Sequence, residues 1–184
     1  MDKKVKIVDR DAPVLREMAK EVTREEIGSP ELERIITDMK AALHAEDDGV
    51  AIAAPQINVS KRIFVVNGHT LAVLAREFES GDKNEEEIIA FPDEVYINPV
   101  IKKISKKRSN LEEGCLSVRW LYGRVLRSDK VTITALDENG KKITRGASGL
   151  LAQIFQHEID HLNGILFIDT ATDLEDHPPE HAHE

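Results

Sequence analysis

The chain of 184 residues contains one cysteine, Cys115, so no intrachain disulfide can brace it. That lone thiol is left as a buried small hydrophobe, a nucleophile or a metal ligand. No apolar run approaches the roughly 20 residues of a membrane span. Met1-Asp2-Lys3-Lys4 leads into no apolar signal region. These absences lead to the expectation of a cytoplasmic protein without membrane contact. A net positive charge is also missing: the balance is −9 and the pI about 5.3. DNA and acidic lipid are therefore not expected as partners, although a local basic patch stays open. Repeats and domain linkers are absent as well. With 41% hydrophobic and 32% charged residues, the chain reads as one globular domain over residues 1–170, followed by a polar C-terminal tail at 171–184.

What is present centres on His157-Glu158-Ile159-Asp160-His161, an H-E-x-x-H pattern. On a helix, histidines four apart share one face and can hold a single metal ion. Glu158 beside the first histidine can exchange protons with water activated there. Leu150, Leu151, Ile154, Phe155, Ile159 and Leu162 recur at helical spacing, and Gly164 suits a left-handed C-terminal stop. The bland alternative is an amphipathic helix that happens to carry histidines.

Elsewhere the pattern predicts a short strand or extended arm at 5–8. It predicts a short helix from Asp11 to about residue 20, burying Leu15, Met18, Ala19 and Val22. A clearer helix is capped by Ser29, carries Pro30 in its first turn and buries Leu32, Ile35, Ile36, Met39 and Leu43. Residues 50–57 read as an edge strand, or a loop beside one, because Pro55 lacks a ladder donor. Gln56 there is either a solvent-facing turn residue or an amide aimed into a site. Strands are expected at 62–66, 88–91, 94–98, 122–127 and 130–136. Residues 76–87 read as an exposed acidic loop. The lysine-rich 100–108 reads as a solvated edge strand. Asp137-Glu138-Asn139-Gly140 reads as a hairpin turn with a partner strand at 141–144.

A catalytic metal needs a third protein ligand and one open position. The continuation H-E-x-x-H-x-x-G-x-x-H matches at Gly164 but places Phe167 at its last position, and phenylalanine cannot ligate. Glu175 and Glu180 lie in the polar tail, a poor place to pre-organise a ligand. Cys115 is the better candidate. Gly114 permits a tight bend beside its sulfur, and a thiolate with two imidazoles suits Zn²⁺ or Fe²⁺.

Three segments now resemble, in order, the motifs of the peptide deformylase family. They are Gly49-Val50-Ala51-Ile52-Ala53-Ala54-Pro55-Gln56, Glu113-Gly114-Cys115-Leu116-Ser117 and Gln156-His157-Glu158-Ile159-Asp160-His161. The likeness covers about residues 5–170. It implies an α+β fold in which small antiparallel β-sheets pack around a central helix carrying H-E-x-x-H. It implies a metal-dependent hydrolase that removes the formyl group from N-terminal formylmethionine of newly made polypeptides, by attack of metal-bound hydroxide. Cys115, His157 and His161 would hold one divalent ion per chain, Fe²⁺ natively, with Zn²⁺, Ni²⁺ or Co²⁺ as substitutes. Glu158 would be the general base and acid. The Gln56 amide and the Leu116 N–H would donate to the oxyanion, and Gly49 and Gly114 would bind substrate. The partners implied are the formylmethionyl peptide and the ribosome near the nascent chain.

Departures from the family pattern are Ala51 in place of a glycine and Arg119-Trp120 in place of Pro-Gly; residues 76–87 read as an insertion. Arg119-Trp120 leaves two readings. Either Trp120 packs in the core with Arg119 in water, or both border the cleft and Arg119 favours acidic peptides. Rival functions are a protease with a carboxylate ligand, a Cys115 hydrolase, a relative with altered substrate preference, and a relative with a purely structural metal.

Overall fold

The computed structural model describes residues 5–78 and 91–178. In chain order the regular elements are α1 (Pro30–His44), β1 (Ala51–Ala53), β2 (Ile63–Val66), α2 (Gly68–Phe78), β3 (Glu94–Ile104) and β4 (Arg108–Gly114). They continue with β5 (Leu121–Ser128), β6 (Lys130–Leu136), β7 (Lys142–Ser148), α3 (Gly149–Leu162) and β8 (Thr172–Asp176). One antiparallel sheet has the order β1-β2-β3-β6-β7, and a smaller one has the order β4-β5-β8. The α+β class with small antiparallel sheets around one helix is what the sequence implied.

Strand alternation explains why the larger sheet carries a helix on each face. Phe64, Val66 and Tyr96 point to one side and pack with Ala152, Phe155, Ile159 and Leu162 of α3. Ile63, Val65, Val95 and Ile97 point to the other side and pack with Leu32, Ile36, Met39 and Leu43 of α1. β2 is consequently buried along its whole length, which makes a continuous apolar run stable there. Phe64, Tyr96 and Phe155 form an aromatic cluster, with Phe64 and Tyr96 stacked at 4.7 Å between centroids. The apolar stripe of α1 is buried as its spacing predicts, and Ser29 Oγ accepts the Leu32 N–H at 3.2 Å. The Asp137–Gly140 turn joins β6 to β7, with Asp137 Oδ1 accepting the N–H groups of Asn139 and Lys141.

Several local expectations are corrected. After Asp11 there is only a 3₁₀ turn, Pro13–Arg16. The chain then runs extended because it finds distant partners: the Ala19 N–H donates to the Leu162 carbonyl, and Lys20 bridges to Lys61. Leu15, Ala19 and Val22 are buried, but Met18 is 72% exposed. α2 takes in residues 76–78 of the expected acidic loop, burying Leu71, Ala72 and Leu74. The rest of that loop, and the strand expected to start at residue 88, lie outside the described residues. Residues 100–104 end β3, pairing with β6 on one side only, whereas its first half pairs with β2 as well. From Arg108 the polar chain forms β4. Polar residues 172–176, read as tail, pair with β5. Main-chain ladders need no apolar side chains, and β8 is exposed throughout. Residues 1–4 and the tail residues Pro179, Glu180, His181 and His183 lie outside the described residues. Among the described residues, no helix is long and apolar enough to cross a membrane.

Truncating Phe64 to Ala empties the centre of the aromatic cluster. Chemical denaturation should report a loss of about 3–5 kcal/mol. A loss below about 1 kcal/mol would show that this cluster is not the packing centre.

Candidate metal centre and active site

α3 starts at Gly149, after Ser148, and is buried on most of its surface, including Gln156, Glu158 and His161. It ends where expected. Asn163 follows the last helical residue, and Gly164 takes φ +75, with the Arg16 carbonyl so close that a Cβ would meet it at 2.8 Å. The helical spacing brings the His157 and His161 rings to 4.9 Å between centroids. Phe167, which cannot ligate, instead stacks beside the His157 ring at 6.3 Å.

Cys115 arrives from the end of β4. Gly114 is needed there, because a Cβ would lie 2.7 Å from the Tyr122 ring on the paired strand. Cys115 Sγ comes within 3.2 Å of His161 Nε2. Ligand atoms of Cys115, His157 and His161 all lie within 4.8 Å of one another, the one group of three potential ligands among the described residues. Glu175 sits instead on β8, where its carboxylate contacts His177 at 2.9 Å. Burial pushes the Cys115 thiol up, but the adjacent His161 and His157 outweigh it and hold it at about 5. A thiolate with two imidazoles in this spacing fits a divalent ion of the Zn²⁺ or Fe²⁺ type.

The histidines are oriented from behind. Glu113 Oε2 faces His157 Nδ1 at 3.0 Å, leaving Nε2 for the cluster. Arg127 donates to both oxygens of Glu113, at 2.7 and 2.9 Å, and to Asp160 at 2.5 Å. Burial raises the Glu113 carboxyl, but His157 and Arg127 bring it down to about 2. Gln156 locks α3 to the end of β5 by exchanging hydrogen bonds with the Ser128 main chain at 3.0 and 2.9 Å. Arg127 went unnoticed in the sequence reading, and Glu113 served there only as part of a motif. No local signal singles out Arg127: Arg124 and Arg127 fall on opposite faces of β5, and only the structure shows that Arg127 points inward while Leu126 is 57% exposed.

Two buried polar atoms have no hydrogen-bond partner, Glu158 Oε2 and His161 Nδ1. Glu158 is pushed up to about 6 by its burial. Gln56 is resolved in favour of the inward-facing reading. It is buried on the 3₁₀ turn Ala54–Ile57, and its Oε1 accepts the Ala53 N–H at 2.8 Å. Its Nε2 therefore points to Ser117 Oγ at 3.3 Å and Cys115 Sγ at 3.6 Å. The Leu116 N–H has no acceptor among the described residues. A cavity of about 280 Å³ is lined by Gln56, Gly114, Cys115, Leu116, His157 and Glu158. Gly49 is buried, its carbonyl accepting from Asn67 at 3.1 Å, while Asp48 and Val50 on either side of it line the cavity. Trp120 also borders the cavity and is only half-buried, so it is not a core residue; Arg119 is engaged in ion pairs.

Sequence and structure comparisons bear on this geometry. The sequence profile of the polypeptide deformylase family matches residues 4–177. A peptide deformylase of Natranaerobius thermophilus is 41% identical over 169 residues, spanning 92% of this chain and 93% of its own. The Met-Ala-Ser-bound class I type b peptide deformylase of Acinetobacter baumannii superposes with a TM-score of 0.74 at 32% identity, covering 91% of this chain and 99% of that one. The actinonin complex of a Synechococcus elongatus peptide deformylase gives 0.74 at 32% identity, covering 94% and 82%. With the likeness running nearly end to end in sequence and in fold, the chain belongs to the polypeptide deformylase family, whose members are hydrolases that remove the formyl group from nascent peptides.

Proposed function

We propose that this chain hydrolyses the formyl group of N-terminal formylmethionine, acting in the cytoplasm as a single catalytic domain that continues past residue 170 to take in β8, close to the ribosome that presents the nascent chain. Cys115, His157 and His161 hold one divalent ion, Fe²⁺ natively, with Zn²⁺, Ni²⁺ or Co²⁺ able to replace it. The observation that carries the reading is the buried, unpartnered Glu158 Oε2 beside that ligand set, in the cavity the Gln56 amide enters. The ion supplies Lewis acidity, which lets water act as a nucleophile near neutral pH.

The remaining steps belong to the protein. Glu158, raised by burial, accepts a proton from the attacking water and returns it to the leaving amine. Gln56 cannot rotate its carbonyl inward, because the Ala53 N–H holds Oε1. Its NH₂ is thus a fixed donor to the oxyanion, and the Leu116 N–H is a second one. β1 is an edge strand, so the peptide main chain can pair along Val50 and Ala51. Val118, Leu121, Leu150 and Ile154 give the methionine side chain an apolar wall. The Met-Ala-Ser peptide bound by the Acinetobacter relative is of the product class this reaction releases.

The direct test is formate release from formyl-Met-Ala-Ser by anaerobically purified protein with its metal content measured. No formate from protein carrying a full equivalent of ion would refute the reading. Cys115→Ala should lose stoichiometric metal, as read by elemental analysis; a full equivalent retained would reassign the third ligand. Glu158→Gln should keep its metal and lose about 10²-fold or more in kcat; near-normal turnover would remove Glu158 from proton transfer. Gln56→Leu should cost about 2.7–4 kcal/mol in transition-state stabilisation, expressed in kcat. A change confined to KM would mean that Gln56 contacts the ground-state peptide instead.

A further inference from the structure

Arg119 and Trp120 form a strap across the mouth of the cleft. Trp120 takes φ +62, a left-handed conformation that residues with a Cβ avoid. Its carbonyl accepts the His177 N–H at 2.8 Å, which fixes the bend. The Arg119 guanidinium lies over the Trp120 ring, 5.2 Å from its centroid. From there it reaches the opposite wall. Nη2 meets Glu46 at 2.5 Å and Nη1 meets Asp48 at 2.7 Å. Both carboxylates lie between α1 and β1, and Asp48 precedes by two positions the Val50 that borders the cavity. Asp48, Arg119 and Trp120 line the cavity that contains Glu158.

The charges at this mouth decide its sign. One guanidinium faces two carboxylates, so the three groups sum to −1. Asp47 is exposed next to them, and Glu112, also exposed, lines the same cavity. Asp48 stays 55% exposed in the pair, so its charge remains within reach of a ligand at the rim. Of the two readings the sequence leaves open for Arg119, one sets it at the cleft as a cation that attracts acidic peptides. Its pairing with two carboxylates reverses that expectation.

We propose that Arg119 ties Glu46 and Asp48 into an acidic rim at the cleft mouth, and that this rim selects formylmethionyl peptides carrying lysine or arginine beyond the first residue. The proposal rests on the deformylase reading and adds a charge preference to it. Side chains beyond formylmethionine leave the apolar pocket and meet the rim in solvent. There one net charge at close range changes a rate constant by only a few-fold at low salt.

The test measures kcat/KM for formyl-Met-Ala-Ser and for its Lys and Asp variants at the second and third positions, at low and high salt. At one of the two positions or both, the wild-type protein should favour Lys over Asp by about three- to tenfold at low salt. That ratio should shrink as salt screens the rim. Arg119→Ala should widen the ratio by removing the neutralising cation. Glu46→Gln combined with Asp48→Asn should pull it down toward one, because Arg119 then faces only Asp47 and Glu112. Wild-type ratios near one at both positions at low salt, or an acidic preference, would overturn the proposal without recourse to any variant. Ratios that stay the same in the wild type and in both folded, metal-loaded variants would overturn it too. Absence of turnover on the neutral peptide by metal-loaded wild type is a different result, and it refutes the deformylase reading itself.

Discussion

The buried link from Arg127 through Glu113 to His157 holds the site together. It joins β5, β4 and α3 through side chains, adding to the β4–β5 ladder and to the hydrogen bonds of Gln156 with the Ser128 main chain. Burying a guanidinium and a carboxylate costs several kcal/mol of lost hydration each, which a bidentate pair with further hydrogen bonds can offset. Here Arg127 has Asp160 as a second carboxylate, and Glu113 has His157 as a second donor. The outcome is chemical as well as mechanical. Glu113 engages Nδ1 of His157, which fixes the ring orientation and turns Nε2 toward Cys115 and His161.

The position of the cavity follows from that link. The larger sheet ends at the edge strand β1, and the smaller sheet ends at the edge strand β4. α3 lies between them, packed on the larger sheet by Phe155 and Ile159 and tied to the smaller by Arg127. Cys115 follows β4, and Gln56 follows β1. The two edges thus deliver a thiolate and an amide to the same buried helix, where the histidines and Glu158 wait. An edge strand is usually a hazard that a protein must cover. On the β1 side the proposed function uses that edge, as the surface along which an extended peptide would pair.

Polar groups on α3 divide into those with partners and those without, and the division tracks their roles. Gln156 and Asp160 hold the sheets, Gln156 through both ends of its amide and Asp160 through Oδ2. Glu158 Oε2 and His161 Nδ1 are buried and unpartnered. A buried polar atom left without a partner costs about 1–3 kcal/mol, so it persists where function requires it. Under the proposed mechanism, the requirement on Glu158 is a carboxylate kept free to accept a proton.

Much of this was legible in the sequence. The i, i+4 histidines, the apolar spacing around them and the glycine stop define α3, because helix geometry is set by residues within a few positions of one another. Ser29 and the stripe of α1, the turn at Asp137–Gly140 and the edge character of β1 are local in the same sense. The single cysteine, following a glycine, is legible in the sequence as the candidate third ligand. What only the tertiary structure decided involves pairs far apart in the chain. Cys115 and His161 are 46 positions apart, and Arg119 reaches partners 71 and 73 positions away. The inward aim of Gln56, the clamp by Arg127 and the sign of the charge at the cleft mouth were settled there too. Strand register and the packing angle of α3 bring those groups together. No short-range propensity encodes a register, and the charge an arginine presents depends on which carboxylates the fold sets against it.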